Sequence, residues 1–375
     1  MKTRDGQLRY SPSDLVRYLA SPFASWMDRY YLEQPTAVTP DDATEEEQLI
    51  AHSGEEHERV VLEEFTSSGP VIQISRRDPA TAREQTLAAL KAKSSVIYQA
   101  ALDFGPFSGF ADFLLLDEQG HYQVWDTKLA RSPRPYYAVQ LCCYAELLAG
   151  MLDSPLSDRF GVILGTKERV EYRLEDFIHY YRRLKAGFLA MQEQFTGNLA
   201  DRPEPLPRAD HGRWASHAEQ FFHERDHLVL VAGITTGQIK KLQHAGIATV
   251  KELAAAAGIS VPKLNKDSLE KLVAQARLQD QTRMDRMARP EAPPRYERLP
   301  HVGVQGEPVG LATLPPAHQA DVFFDREGFP LAPGGLEYLF GVCTRNGQTG
   351  RWDFLDWWAH DRQEEQRALE GFIDW

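Results

Sequence analysis

Between Phe107 and Tyr144 the chain reads FSGFADFLLLDEQGHYQVWDTKLARSPRPYYAVQLCCY, and this stretch limits the possible folds more than any other. Phe107 to Leu116 is an aromatic and aliphatic run interrupted by one charge, Asp112. Asp117-Glu118-Gln119-Gly120 is turn chemistry, because glycine tolerates positive φ and aspartate bonds its own backbone. Tyr122, Val124 and Trp125 start a second strand that runs into Asp126-Thr127-Lys128. A carboxylate inside an apolar strand is costly unless it is paired or holds a metal. Here each strand of a hairpin carries one. The two-residue period of a strand puts Asp126 and Lys128 on one face, and a bulge or twist would aim Asp112 at the same spot.

Two clustered carboxylates suit a hard cation, Mg²⁺ or Mn²⁺. A lysine beside them can bind a scissile phosphate or help position an attacking water. Taken alone, Asp126-x-Lys128 is more simply a cross-strand surface ion pair, with Asp112 at a bulge. Three further features weigh against that. Upstream, Gly54-Glu55-Glu56-His57-Glu58 enters a helix whose apolar stripe is Val60, Val61, Leu62 and Phe65. His57 shares a side with Val61 and can point inward, either as a packed, hydrogen-bonded histidine or as a ligand. Downstream, Gln140 and Tyr144 share one face of a helix, VQLCCYAELLAGML, that is otherwise ordinarily amphipathic. The third feature is the order: His helix, Asp strand, Asp-x-Lys strand, Gln-x-x-x-Tyr helix.

Read as Gly54-x-x-His57, Gly109-x-x-Asp112, Asp126-x-Lys128 and Gln140-x-x-x-Tyr144, the set resembles the RecB-like branch of the PD-(D/E)xK nucleases. The resemblance implies an α/β, restriction-endonuclease-like mixed sheet flanked by helices. It implies that His57, Asp112 and Asp126 hold Mg²⁺ or Mn²⁺, that Lys128 is the catalytic lysine beside Asp112 and Asp126, and that Gln140 and Tyr144 line the DNA-facing side. The expected activity is divalent-metal-dependent hydrolysis of DNA, single-stranded or at duplex ends, in repair or recombination. The alternative is a non-catalytic DNA-binding or scaffolding fragment of a nuclease–helicase protein, and full-length relatives make a helicase a possible partner.

By this reading the nuclease domain spans 1–200 and a linker spans 201–227, opened by the proline-rich DRPEPLPR. Related nucleases often carry iron–sulfur cysteines near the first helix break and beyond this linker. Those places read Ala20-Ser21-Pro22-Phe23 and ADHGRWASHAEQFFHERDHL. Cys142, Cys143 and Cys343, the only cysteines, cannot supply four thiolates, so no iron–sulfur cluster is expected. His211, His217, His223 and His227 lack the regular pair spacing of a zinc site.

Residues 228–282 change to short helices joined by Gly-Ile hairpins and resemble a helix-hairpin-helix domain. There, Gly246 and Ile247 would offer backbone N–H groups to a phosphate, with Lys240 and Lys241 flanking. Ala248 replaces the second hairpin glycine of a strong binder, which leaves a plain helical packing domain as the other reading. A second linker, 283–317, precedes a new fold at 318–375. There an apolar strand emits Asp325-x-Glu327, resembling the start of an RNase H-like exonuclease of the DEDD group. Asp325 and Glu327 would be its first two metal ligands, or a solvated pair at a strand end. The later acids of that family are missing from the sequence, so this domain is expected to be incomplete and inactive.

The net charge of −12 argues against a broadly basic nucleic-acid coat but allows a local basic groove. No run approaches the ~18 apolar residues of a membrane span. The first residues lack a signal-peptide core, and the expected location is cytoplasmic, with no membrane partner.

Overall fold

The computed structural model describes residues 1–375 except 5, 154–156, 304, 331 and 333. It divides into two compact units, Met1–Arg295 and Tyr296–Trp375.

The first unit opens with a hairpin, β1 (Lys2–Arg4) and β2 (Gln7–Arg9). Helices α1 (Pro12–Ala20) and α2 (Pro22–Glu33) follow, broken at Ser21. Ser21 starts α2 because its hydroxyl accepts the Ala24 N–H and Pro22 presets the first turn. Helix α3 (Glu45–Ser68) is opened by a capping box between Thr44 and Glu47. Then come β3 (Val71–Gln73), α4 (Pro79–Lys91), β4 (Val96–Phe104), β5 (Phe107–Leu116), β6 (Tyr122–Lys128), α5 (Tyr137–Leu152), β7 (Arg159–Leu164), β8 (Arg169–Arg173) and α6 (Ile178–Glu193).

The six-stranded sheet has the order β3-β4-β5-β6-β7-β8. It is parallel at β3/β4 and β6/β7 and antiparallel elsewhere. Each parallel step needs a crossover, and α4 and α5 supply the two. Alternate strand residues face opposite sides. Leu102, Leu114, Val124 and Phe160 pack under α1, α4, α5 and α6, while Phe113, Trp125 and Ile163 pack under Val61 and Phe65 of α3. This is the helix-flanked mixed sheet expected from the sequence.

Beyond the sheet lie α7 (Ala215–Glu224), α8 (Thr236–His244), α9 (Val250–Ala255) and α10 (Lys266–Ala288). Trp214, Phe221 and Phe222 form a core with Phe23, Trp26, Met27 and Tyr30 of α2. Polar bonds staple the same two segments. Ser21 Oγ meets His211 Nδ1 at 2.8 Å, Asp28 accepts Trp214 Nε1 at 2.9 Å, and Asp41 accepts the Ser216 N–H at 2.9 Å. Helices α8–α10 enclose a core of their own, including Ile239, Leu242, Leu253, Leu269 and Val273. Helix α10 continues through Arg283–Ala288, where a linker was expected, because Arg283 is held by Asp226 and Asp280.

In the second unit β9 (Val322–Phe329), β10 (Leu336–Arg345) and β11 (Trp352–Trp358) form an antiparallel sheet ordered β11-β10-β9. Helix α11 (Arg362–Asp374) covers one face through Ala368 and Phe372 against Phe340 and Trp357. Among the described residues no helix is long and apolar enough to cross a membrane.

Candidate active site

The β5–β6 ladder runs from Leu116↔Tyr122 to Phe113↔Trp125 and stops there. Asp112 and Asp126 are the first residues past that last rung. Strand β6 meanwhile stays paired with β7 as far as Lys128↔Leu164, so it leaves β5 without leaving the sheet. The Thr127 N–H donates to Asp112 Oδ2 at 2.8 Å in place of a ladder bond, and Thr127 Oγ1 donates to the same oxygen at 2.8 Å. On the other side of β5 the register skips from Tyr98↔Phe113 to Ala100↔Ala111. The skipped residue, Gln99, has φ of +57°, a left-handed conformation uncommon outside glycine. Thus β5 is irregular on both edges at the level of Asp112.

Burial pushes the Asp112 carboxyl well above its usual 3.8, and the charges of Asp126 and Glu58 push it further, against the Thr127 N–H. Without a cation, the protonated form of Asp112 is favoured beside Asp126. Asp126 is 3% exposed. Its Oδ2 meets the Lys128 ammonium but takes no bond of hydrogen-bond geometry from any described residue. Burial alone would lower the Lys128 pKa, but Asp126, then Asp112 and Tyr136, outweigh it and hold the ammonium charged. Lys128 Nζ also donates to Gln140 Oε1 at 3.2 Å and lies 5.6 Å from the Tyr137 ring centroid. Tyr144 is buried beside Gly109, where an added Cβ would come within 3.1 Å of its ring and of Pro12. Burial, then Asp126 and Asp112, push the Tyr144 hydroxyl pKa up, so it stays protonated. Asp112, Asp126, Lys128, Gln140 and Tyr144 are thus brought together.

His57 is buried, but its Nε2 lies 3.2 Å from the Ile163 carbonyl oxygen. Its neighbour Glu58 reaches toward Asp112. Glu58 Oε1 accepts the Tyr98 hydroxyl at 2.8 Å and the Gln99 amide. Burial and then Glu58 push the Tyr98 hydroxyl up to about 12. Sequence reasoning passed over Glu58 because it stands among Glu55, Glu56 and Arg59 and reads as solvated charge. The available signal was its spacing. Glu58, Val61, Leu62 and Phe65 lie at i, i+3, i+4 and i+7, on the stripe that faces the sheet.

Among the described residues no three His, Cys, Asp or Glu side chains already converge as a coordination shell. The donors nonetheless fit a hard cation. There is one buried carboxylate, Asp126, ion-paired with Lys128, one half-buried carboxylate, Asp112, and Glu58 close by. A cation arriving there must move the Lys128 ammonium aside. A cavity of about 1270 Å³ lies elsewhere, around Gln119–Val124 and Leu148 at the turn end of β5 and β6, and none of these residues lines it.

The other candidates stand as follows. Gly246 has φ of +82° in its turn, Ile247 is buried in the α8–α10 core, and Lys240 is exposed. Lys241 donates to the Lys263 carbonyl at 2.7 Å. The N–H groups of Ala248 and Thr249 donate to Glu252 Oε2 at 2.7 and 3.1 Å, which holds the Glu252 carboxyl below its usual range. The hairpin is thus already capped by its own carboxylate. Asp325 and Glu327 are exposed on β9, with Asp325 Oδ1 accepting the Arg326 N–H at 2.8 Å. His211, His217 and His227 bond to Ser21, Thr39 and Val229, and His223 lies near Glu219, so the four do not gather.

The profile of the PD-(D/E)XK nuclease superfamily matches residues 21–298, and the chain belongs to that superfamily. Its members are generally hydrolases of nucleic acid that use divalent metals. No curated protein matches the chain. A solved structure titled "Crystal structure of SSO0001" is 14% identical, covering 52% of this chain and 80% of that one, with a TM-score of 0.23, too low to support any inference.

Proposed function

We propose that this protein is a divalent-metal-dependent DNA nuclease of the RecB-like branch, acting in repair or recombination. The observation that carries this reading is the meeting of a buried and a half-buried carboxylate with a charged lysine where β5 and β6 part. Asp112 and Asp126 hold Mg²⁺ or Mn²⁺, and α3 adds a donor from His57 or Glu58. The bound ion supplies a water of lowered pKa and a Lewis acid for the phosphoryl oxygen. Lys128 places its ammonium at the scissile phosphate, where charge grows in the transition state. Gln140 positions that ammonium through its 3.2 Å hydrogen bond. Tyr144, kept protonated, walls the same side of the site.

We read 228–282 as a helix-hairpin-helix domain, contacting DNA through Lys240, Lys241, Gly246 and Ile247, and 318–375 as an RNase H-like portion with Asp325 and Glu327 on its first strand. A helicase is the partner this organisation suits. The alternative is a non-catalytic scaffold, for which the absence of the cysteines of an iron–sulfur cluster from the sequence speaks. It predicts DNA binding that survives EDTA and no cleavage at all.

The test is degradation of single-stranded DNA with Mg²⁺ or Mn²⁺. Asp126→Ala and Lys128→Ala should each lower the rate by about 10²–10³-fold or more, the loss typical of removing one transition-state electrostatic group, with circular dichroism unchanged. Wild-type cleavage by either variant would overturn the assignment.

A further inference from the structure

Residues 129–136, LARSPRPY, join Lys128 to α5, and of them only Tyr136 has figured so far, as a neighbour of the Lys128 charge. Arg131 and Arg134 are exposed, and neither forms an ion pair with any described carboxylate. In a chain with a net charge of −12, two free guanidinium groups beside the site lysine form a local basic patch. Pro133 and Pro135 fix their own φ angles, so the loop loses less freedom on binding. Tyr136, 45% exposed, ends the loop. Its ring stands nearly edge-on to Tyr137, with centroids 4.7 Å apart, and Tyr137 is buried against Lys128. An exposed aromatic face is therefore anchored one ring away from the ammonium.

We propose that Tyr136 stacks a base of single-stranded DNA next to the phosphate held by Lys128, while Arg131 and Arg134 grip the flanking phosphates. This deepens the nuclease reading and rests on it only for the position of the bound phosphate. A free base offers its face to an aromatic ring regardless of sequence, and a ring with basic neighbours is how single strands are held. Bases inside a duplex have both faces covered by their neighbours. The loop therefore makes the site selective for single strands.

The experiment is fluorescence anisotropy of a labelled single-stranded oligothymidylate and of a blunt duplex, in EDTA so that neither is cut. Tyr136→Ala should bind the single strand about tenfold more weakly and the duplex within about twofold of wild type, while Tyr136→Phe should keep its affinity. Replacing both arginines with glutamine should flatten the slope of log affinity against log salt by roughly 0.7 for each phosphate no longer neutralised. Full single-strand affinity in Tyr136→Ala would overturn the proposal, and so would equal losses for both DNAs. Because no cleavage is needed, a wild type that binds in this pattern but never cuts upholds the loop and sinks the nuclease reading. A wild type that cuts, with Tyr136→Ala binding normally, does the reverse.

Discussion

Replacing Asp112 by asparagine should separate the stability of the site from its chemistry. Asp112 Oδ2 accepts both the N–H and the hydroxyl of Thr127, each at 2.8 Å. An asparagine carbonyl can accept both, and its amide can stand where the protonated carboxyl meets Asp126. At roughly 1 kcal/mol net per hydrogen bond, Asp112→Asn should change folding stability by less than about 1 kcal/mol near pH 5. Asp112→Ala leaves both half-buried Thr127 donors without their partner, so it should lose on the order of 1–3 kcal/mol. The pH dependence adds a sign. The folded Asp112 pKa is raised, so its contribution is fully present below the unfolded value near 3.8 and is lost as pH rises through the folded value. Metal-free wild type should thus lose up to about 1.4 kcal/mol per pH unit from this group, and Asp112→Asn should not. The asparagine variant therefore becomes the more stable of the two as pH rises, while its metal-dependent cleavage is lost. Urea denaturation in EDTA across pH, beside a cleavage assay in Mn²⁺, reads both quantities. Parallel stability–pH curves for wild type and Asp112→Asn, or full cleavage by the variant, would refute the reasoning.

The choice between the two α3 donors is also testable. If Glu58 is the working acid, Glu58→Gln should weaken Mn²⁺ binding by calorimetry by about 10–100-fold, the loss expected even for a residue that only orients ligands, and His57→Ala should weaken it less. The reverse order would assign the role to His57. At the junction of α2 and α7, burial holds the His211 pKa below its usual 6.5, so its contribution to stability is present above that value and lost as pH falls. Protonation would turn Nδ1 into a donor facing the Ser21 hydroxyl. The drop in melting temperature from pH 7.5 to 5.5 should shrink in His211→Gln, and an unchanged drop would exclude His211 as its source.

The mixed sheet was legible because its signals are local. The Asp117–Gly120 turn joins two apolar runs, and the strand following α5 is a short apolar block, Phe160–Leu164, buried on both sides. What was not legible depends on the whole sheet. The parting of β5 from β6 after Phe113↔Trp125 and the left-handed Gln99 leave no mark in composition. Glu58 was hidden by its charged neighbours, although its spacing put it on the buried stripe. Nor could the sequence tell that Glu252 caps the α8–α9 hairpin, because a capping carboxylate and a solvated one look alike in one dimension. The aromatic packing of α2 against α7 went unread as well. Trp214 and Phe222 are remote from Phe23 in the chain, so no local pattern joins them.

The central claim is that the gap between β5 and β6 holds a divalent cation on Asp112 and Asp126. Titrating Mn²⁺ into the protein at pH 7.5 by calorimetry measures the binding. The account predicts saturable Mn²⁺ binding that is abolished in Asp126→Asn. Equal binding by wild type and Asp126→Asn, or no binding by wild type, would contradict it.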